Sequence, residues 1–272
     1  MILPNRRRRA MLLLALILVG LAALLLAGAL LEETASATHF GDKNLPPSLA
    51  HPFGTDRMGR DMLARTVAGL SLSLRLGLLT SAVSAMLALM LGLAAATLGR
   101  RADSVISWVI DLVMGVPHIL LLVLISLACG RGFWGVAAGV SLTHWPSLAR
   151  LIRGEVLQLR QAPYIQAARQ LGHPAVEIAW RYMAPHLFPQ FLTGLILAFP
   201  HAILHEASIT FLGFGLPAEV PAIGVILSEG LSYLVAGRWW LALLPGLALA
   251  VCVFLFALLG DNIRRLLDPA SV

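Results

Sequence analysis

Two histidines and a glutamate in one apolar stretch, residues 187–211, have side chains that could do chemistry. His201 and His205 are four residues apart, so a helix presents them on the same face, and Glu206 follows directly. Imidazole is a good ligand for nickel, copper or zinc ions. Ionisable side chains within a membrane span are costly to bury, which makes them candidates for function. We therefore take these three residues as candidates for a functional site.

Three further side chains lie in neighbouring apolar stretches and could join that site: Met114, His118 and His144. A structural role stays open for the histidines, because a histidine that is hydrogen-bonded to a neighbouring helix needs no ligand. The chain has no HExxH motif and no obvious third metal ligand, which disfavours a catalytic metal centre. It also has no GxxxxGK[ST] phosphate-binding loop, so it is not itself an ATP-hydrolysing subunit.

The elements that must position these residues are membrane spans. Apolar residues make up 58% of the 272 residues and charged residues only 12%, whereas a soluble domain carries about 25% charged residues. A transmembrane helix needs roughly 20 consecutive, mostly apolar residues. The sequence therefore predicts an all-α integral membrane protein with about six spans, at residues 10–31, 70–98, 105–129, 133–148, 187–211 and 240–259.

The arginines predict how these spans are oriented. The formal net charge is +6, and the basic residues lie between apolar runs, which is typical of the positive-inside rule and disfavours nucleic-acid binding. Both termini are predicted to be cytoplasmic. The predicted organisation is a cytoplasmic tail with a first membrane anchor (1–31), a periplasmic loop (32–69) and a core of five spans (70–272). That core includes a basic cytoplasmic loop at 150–186.

This cytoplasmic loop carries a short helical pattern. Helical spacing puts Ile165, Ala168 and Leu171 or Gly172 on one face, and paired alanines at its centre predict a small-residue surface that another protein can approach closely. Gly172 supplies a C-terminal break, and Pro174 prevents continuation. The pattern predicts a short helix, a turn and a second short helix along the membrane face. An amphipathic helix that only lies on lipid headgroups is an equally open interpretation.

The same loop resembles the coupling loop of ABC-importer permeases, in which Glu-Ala-Ala, three further residues and Gly dock onto an ATPase. Gln166, Ala167, Ala168 and Gly172 match that motif, with Gln in place of the usual Glu. Pro185 occupies the place of the family's proline after the second short helix. The resemblance implies that these five residues form the ATPase-coupling site, with one charge fewer on the docking face.

Three other stretches resemble the C-type permease of dipeptide, oligopeptide and nickel importers. Residues 51–61 are similar to the HPxGTDxxGRD signature, residues 208–215 to the SxSFLGxG segment and residues 260–269 to the GDxxRxxxDP ending. The resemblance covers about residues 51–269. It implies the type I ABC importer permease fold, with about six transmembrane helices, in a bacterial inner membrane.

That resemblance also implies partners. A B-type permease would complete a heterodimer, and two ATPase subunits would bind the ATP and magnesium, so this chain would hold no cofactor. A periplasmic or lipid-anchored substrate-binding protein would deliver the cargo.

The cargo predicted from the sequence is nickel or a metal chelate. His201 and His205, followed by the 208–215 segment, resemble nickel-uptake permeases more than peptide permeases, although a transport path need not bind metal tightly. A di- or oligopeptide cargo is the alternative. Two other classes stay open: a proton-driven transporter that uses Asp111 or Glu206 as a relay, and an intramembrane metalloenzyme built on His201, His205 and Glu206.

Overall fold

The computed structural model describes residues 6–267, and within this range the chain is built from helices without a β-sheet. The α-helices are α1 (Arg6–Leu30), α2 (Glu32–Ser36), α3 (Met62–Thr97), α4 (Arg100–Gly115), α5 (His118–Ala128), α6 (Phe133–Leu159), α7 (Pro163–Gln170), α8 (Ala175–Glu177), α9 (Ala184–Phe211), α10 (Ile223–Leu231) and α11 (Trp240–Leu267). A 3-10 turn lies at Phe40–Asp42, and a π-helical turn at Ile178–Met183 joins α8 to α9. The all-α prediction is confirmed.

Within residues 6–267, four helical segments are long and apolar enough to cross a membrane: α1, α3, α11 and the rod that runs from α8 through α9. α4 and α5 make a fifth if their 100° bend is one broken span. The remaining predicted span, 133–148, is helical as the first part of α6. His144 and Trp145 interrupt its apolar run and Arg150 and Arg153 follow, so α6 falls short of the hydropathy of the other spans.

The second predicted span starts earlier than its apolar run. α3 begins at Met62 rather than at residue 70, so the first two turns of this helix belong to the region predicted as a loop. The Asp61 carboxylate caps the helix by accepting a hydrogen bond from the Ala64 backbone N–H at 2.8 Å. His51 holds the same carboxylate, with Nδ1 2.8 Å from its second oxygen.

The third predicted span is broken at Pro117. α4 ends at Gly115 and α5 begins at His118, with the two axes bent by 100°. Proline cannot donate a helical hydrogen bond, and it disfavours helical backbone at the preceding residue. Val116 is accordingly extended, with φ −90° and ψ 137°. The bend places His118 at the start of α5, where its ring reaches α6 and α9.

α3, α6 and α9 form the centre of the packed helices, and α1 packs against α3 and α11. Gly92 allows the α3 and α6 backbones to approach closely, since a Cβ there would lie 2.9 Å from the Ala149 carbonyl oxygen. Between α9 and α11 the rings of Phe199 and Phe256 stack with their centroids 3.9 Å apart. Close backbone approach therefore holds α3 to α6, and aromatic packing holds α9 to α11.

An ionic network orders the loop between α2 and α3. Buried Asp56 accepts hydrogen bonds from the backbone N–H groups of Met58 (2.8 Å) and Arg60 (3.0 Å). It also accepts from Arg60 Nε at 2.6 Å and from Arg65 Nη1 at 2.8 Å. Glu229 of α10 accepts from Arg65 Nη1 at 2.9 Å. The 51–61 signature thus folds this loop and ties it to α3 and α10.

The last span continues beyond its predicted end. α11 runs as one helix to Leu267, although the apolar run stops at residue 259. The buried Asn262 side chain donates to the Leu258 carbonyl oxygen at 2.7 Å, which satisfies its amide within the helix. Asp268 and Pro269, which close the GDxxRxxxDP ending, lie outside the described residues.

Candidate functional site

A cavity of about 710 Å³ lies between the α4–α5 bend, α6 and α9. Four histidines line it, and we call it the histidine cavity: His118, His144, His201 and His205. Met114 lines it as well. The structure therefore brings together, from three parts of the chain, five of the six residues that the sequence singles out for this site.

Three of these histidines form a compact cluster, the histidine triad, made of His118 from α5, His144 from α6 and His205 from α9. One ring nitrogen of each lies within 4.8 Å of those of the other two. The rings meet edge to face, with centroid distances of 4.7 Å for His118–His144, 4.5 Å for His118–His205 and 4.9 Å for His144–His205. The sequence pairs His205 with His201, whereas the structure pairs it with histidines of two other helices.

Backbone hydrogen bonds orient two rings of the triad. His205 Nδ1 lies 2.7 Å from the His201 carbonyl oxygen, and His144 Nδ1 lies 2.9 Å from the Val140 carbonyl oxygen. A carbonyl oxygen can only accept, so each Nδ1 carries a proton, and in a neutral ring the lone pair is on Nε2. The Nε2 atoms of His144 and His118 are buried and have no hydrogen-bond partner among the described residues.

Glu206 does not line this cavity. Its carboxyl group is fully buried between α9 and α3, where Ser73 Oγ donates to it at 2.5 Å and Thr210 Oγ1 at 3.1 Å. Successive residues of a helix point about 100° apart, so a side chain next to His205 must leave the face of the triad. The three-residue metal centre of His201, His205 and Glu206, which the metalloenzyme hypothesis requires, is therefore not formed.

Two hydroxyl residues contribute to these sites without a motif that singles them out in the sequence. Ser73 lies on α3 and supplies the shorter hydrogen bond to Glu206. Thr143 lines the histidine cavity, and its Oγ1 lies 3.3 Å from His144 Nδ1. Serine and threonine are frequent in membrane helices, where they bond to the backbone of the preceding turn, so only the three-dimensional packing identifies these two.

The 150–186 segment is more helical than the sequence predicts. α6 continues to Leu159, and after α7 the helix resumes at Ala175. Pro185 does not separate a second short helix from the next span, because it lies in the first turn of α9, directly after the π-helical turn Ile178–Met183. Proline lacks an N–H and clashes with the carbonyl four residues earlier, and the wider π turn accommodates both effects. α8, the π turn and α9 form one continuous rod.

The two alanines of α7 differ in exposure. Ala168 is 4% exposed and packs with Ile165 into the interior cluster that also holds residues of α3 and α6. Ala167 is exposed, and Leu171 and Tyr164 are exposed on the same side of the helix. The face predicted to receive another protein is therefore the inner one. The accessible surface, which we call the outer face of α7, is made of Tyr164, Ala167 and Leu171.

Gly172 ends α7, and this predicted break is confirmed. The His173 backbone N–H donates to the Ala168 carbonyl oxygen at 3.2 Å, which closes the last turn in the Schellman pattern. Gly172 has φ +83°, in the left-handed region that favours glycine. A Cβ at this position would meet no atom within 4 Å, so the backbone conformation alone accounts for the glycine within this chain.

Hydrogen bonds and ion pairs fasten this segment to the rest of the fold. Gln166 Nε2 donates to the Gln161 carbonyl oxygen at 3.1 Å, which closes the turn before α7. Arg153 of α6 binds Asp103 of α4 through two bonds of 2.5 and 2.7 Å, and this carboxylate raises the pKa of the Arg153 guanidinium. Arg160 Nη1 donates to the Ala96 carbonyl oxygen of α3 at 2.8 Å.

Both sequence and fold are similar to those of known transport proteins. Residues 88–271 match the family described as binding-protein-dependent transport system inner membrane component. The chain is 36% identical, over 97% of its length and 88% of the relative's, to the "Putative peptide transport system permease protein" of Brucella suis. It is 31% identical, over 84% of its length and 71% of the relative's, to the dipeptide transport system permease protein DppC of Bacillus subtilis. Among solved structures, the inward-facing MetNI methionine ABC transporter matches with a TM-score of 0.62 at 18% identity, covering 76% of this chain and 98% of that one.

Proposed function

Since this chain belongs to the family of binding-protein-dependent transport system inner membrane components, we propose that it carries di- or oligopeptides across the inner membrane within an ATP-driven importer. The chain is an integral membrane permease subunit, a translocation component and not an enzyme. The observation that carries the cargo proposal is the similarity of nearly the whole chain to permeases named for peptide transport. These relatives favour a peptide cargo over nickel. In the sequence, the spacing of the histidines favours nickel instead.

The proposed importer contains a second, B-type permease next to this chain. An exposed stripe on α3 supports such a partner: it holds Leu78, Met86 and Met90, yet also Arg75. An arginine at the depth of a membrane span is costly against lipid. A protein partner or a water-filled path beside α3 removes that cost. A periplasmic or lipid-anchored binding protein would deliver peptide from outside.

The energy source in this proposal is a pair of ATPase subunits that bind ATP and magnesium and dock on the outer face of α7. The 150–186 segment then lies on the cytoplasmic side, as do both termini, in agreement with its excess of arginine. Leu171 is 79% exposed at the end of α7, and an exposed apolar side chain next to a small residue suits a docking contact. ATP-driven closure of the ATPases would move α7 and rock the spans between inward-open and outward-open states.

The histidine cavity is the proposed path of the cargo. It lies midway along α6 and α9, and it combines apolar walls with a few imidazoles that can pair with polar peptide groups. The bend at Pro117 borders it, so a change in that bend would change the width of the cavity. Glu206 does not line this path, so a proton relay through Glu206 would act away from the cargo.

Substitution of Ala167 by tryptophan tests the docking proposal. Ala167 is exposed, so the large side chain should not disturb the fold of this chain, but it would keep an ATPase from approaching α7. We expect ATP-dependent uptake of a labelled dipeptide into proteoliposomes, with all subunits present, to fall at least about tenfold. Membrane insertion and permease pairing should be unchanged.

Ala236→Trp is the matched control, because Ala236 is also exposed but lies between α10 and α11, on the opposite side of the predicted topology. It should leave ATPase assembly with the permeases intact, as judged by co-purification. Unchanged uptake and co-purification in the Ala167→Trp importer would refute docking at this face. Uptake that persists without ATP but requires a proton gradient would refute the ATP-driven importer itself.

A further inference from the structure

We propose that the histidine triad binds one divalent late first-row transition-metal ion, through one imidazole nitrogen each from His118, His144 and His205. The fourth coordination position is open to the histidine cavity. This inference goes beyond peptide transport and does not depend on it, because all three ligands belong to this chain.

The spacing of the nitrogens suits such an ion. Zinc–imidazole bonds are about 2.0–2.1 Å long, so two nitrogens on a tetrahedral ion are about 3.4 Å apart. The three candidate nitrogens of the triad all lie within 4.8 Å of one another. Each pair therefore needs to close by at most about 1.4 Å. Rotation of the three rings is the movement that would close these distances.

The hydrogen bonds of the triad are those of metal-binding histidines. A ligating histidine usually donates its other ring N–H to a carbonyl or a carboxylate, which fixes the tautomer and the ring orientation. His144 and His205 donate in this way to the Val140 and His201 carbonyl oxygens. Each then offers the Nε2 lone pair to an ion.

Two ring nitrogens of the triad without hydrogen-bond partners in the described part of the chain are independent evidence for a ligand at this position. The Nε2 atoms of both His118 and His144 are buried and have no hydrogen-bond partner among the described residues. Buried polar atoms without a partner cost free energy, and they are uncommon in folded proteins. An ion at the centre of the triad would satisfy both atoms together with a nitrogen of His205.

The donor set determines which ions suit the site. Three imidazoles are ligands for cobalt, nickel, copper and zinc, whereas magnesium and calcium require oxygen ligands. Because neutral imidazoles leave the charge of the ion uncompensated, the fourth position would take water or an anionic group from the cavity. Glu206 cannot fill it, since its carboxyl group is held by Ser73 and Thr210.

Cobalt(II) is the probe for the test, because four-coordinate Co²⁺ absorbs visible light far more strongly than the hydrated ion. The full importer is purified with a histidine-free tag, stripped with chelator and titrated with Co²⁺, without peptide or ATP. We expect one Co²⁺ per copy of this chain with the four-coordinate spectrum. His144→Gln should weaken binding at least about tenfold, the lower end of losses measured even for outer-shell partners of a metal.

His201→Gln is the matched control, since His201 lines the same cavity outside the triad and should leave the spectrum and affinity unchanged. His118→Cys keeps a ligand at its position and should bind Co²⁺ with a sulfur-to-cobalt charge-transfer band added to the four-coordinate spectrum. The proposal is overturned if the wild-type importer gives only the hydrated spectrum, if His144→Gln titrates like the wild type, or if His201→Gln weakens binding as much as His144→Gln does.

Peptide uptake is measured on the same preparation. An importer that binds Co²⁺ at the triad but takes up no peptide would reject the peptide cargo and retain the metal site. An importer that takes up peptide but gives no triad-dependent Co²⁺ spectrum would reject the metal site and retain the peptide cargo.

Discussion

Replacement of Asp56 by alanine should detach the loop between α2 and α3 from its contacts with α3 and α10. The Asp56 carboxylate is the acceptor shared by Arg60 and Arg65, and two backbone N–H groups also depend on it. Its side chain is only 7% exposed and that of Arg65 only 2%. The substitution therefore leaves buried donors, one of them a nearly inaccessible guanidinium, without their main acceptor.

The size of the effect follows from this burial. Removal of one partner from a buried ion pair costs about 3–5 kcal/mol, because the other charge stays buried and uncompensated. Glu229 still lies 2.9 Å from Arg65 Nη1 and retains part of the compensation. We therefore expect the lower end of that range, about 3 kcal/mol, which corresponds to a change of about 150-fold in the opening equilibrium of the loop.

Amide hydrogen exchange of the reconstituted importer measures this opening directly. The reporters are the backbone N–H groups of Thr55, Asp56 and Met62, which donate to the Leu45, Arg60 and Gly54 carbonyl oxygens. Their exchange should accelerate by on the order of 100-fold in Asp56→Ala. Amides in the middle of α11 should keep their wild-type rates, because α11 does not depend on this network.

Arg57→Gln is the control for loss of a charge in the same turn, since Arg57 is exposed next to Asp56. It should change the exchange rates by less than about twofold. The double variant Asp56→Ala with Arg65→Met should recover part of the protection, because it also removes the orphaned charge. Exchange in Asp56→Ala within threefold of wild type, or equal acceleration in Arg57→Gln, would refute the network as the source of loop order.

Two further substitutions test the turn that ends α7 and the buried carboxyl group of Glu206. Gly172→Val should abolish peptide uptake while membrane insertion stays intact, because a β-branched residue at φ +83° opposes the turn that ends α7. Gly172→Asn tolerates that φ and should retain most of the uptake, and equal loss in both variants would contradict the backbone explanation. Glu206→Gln should transport within about twofold of wild type, since an amide can keep hydrogen bonds to Ser73 and Thr210. Its abolition of uptake would instead support a proton relay through Glu206.

The sequence predicts this fold well because its signals are local. Runs of apolar residues predict helices wherever they occur, and the break in the third span comes from a single residue, Pro117. The helix boundaries are predicted less accurately, because side-chain caps determine them. Asp61 caps α3, which therefore begins before its apolar run. The rod through Pro185 was also missed, because a π turn that absorbs a proline depends on the packing of both neighbouring turns.

The sequence names the histidines that line the cavity but does not indicate their arrangement. Helical spacing correctly places His201 and His205 on the wall of one cavity. The triad combines His205 with His118 and His144 instead, and no spacing along the chain encodes a meeting of three helices. In α7, the periodicity that marks Ile165 and Ala168 is the signal of a buried face. The alanine available to a partner is therefore the one outside that pattern.

α6 connects the two candidate sites mechanically. His144 stands in the histidine cavity, and two turns or more farther along, Ile152 and Val156 are fully buried in the cluster that receives Ile165 and Ala168 of α7. The 8–12 residues between them span about 12–18 Å of one helix. In the proposed importer, a displacement of α7 would reach α6 through this tight apolar packing. Because His118 and His205 belong to other helices, a movement of α6 relative to α5 and α9 would change the spacing of the triad, and an ion bound there would oppose that movement.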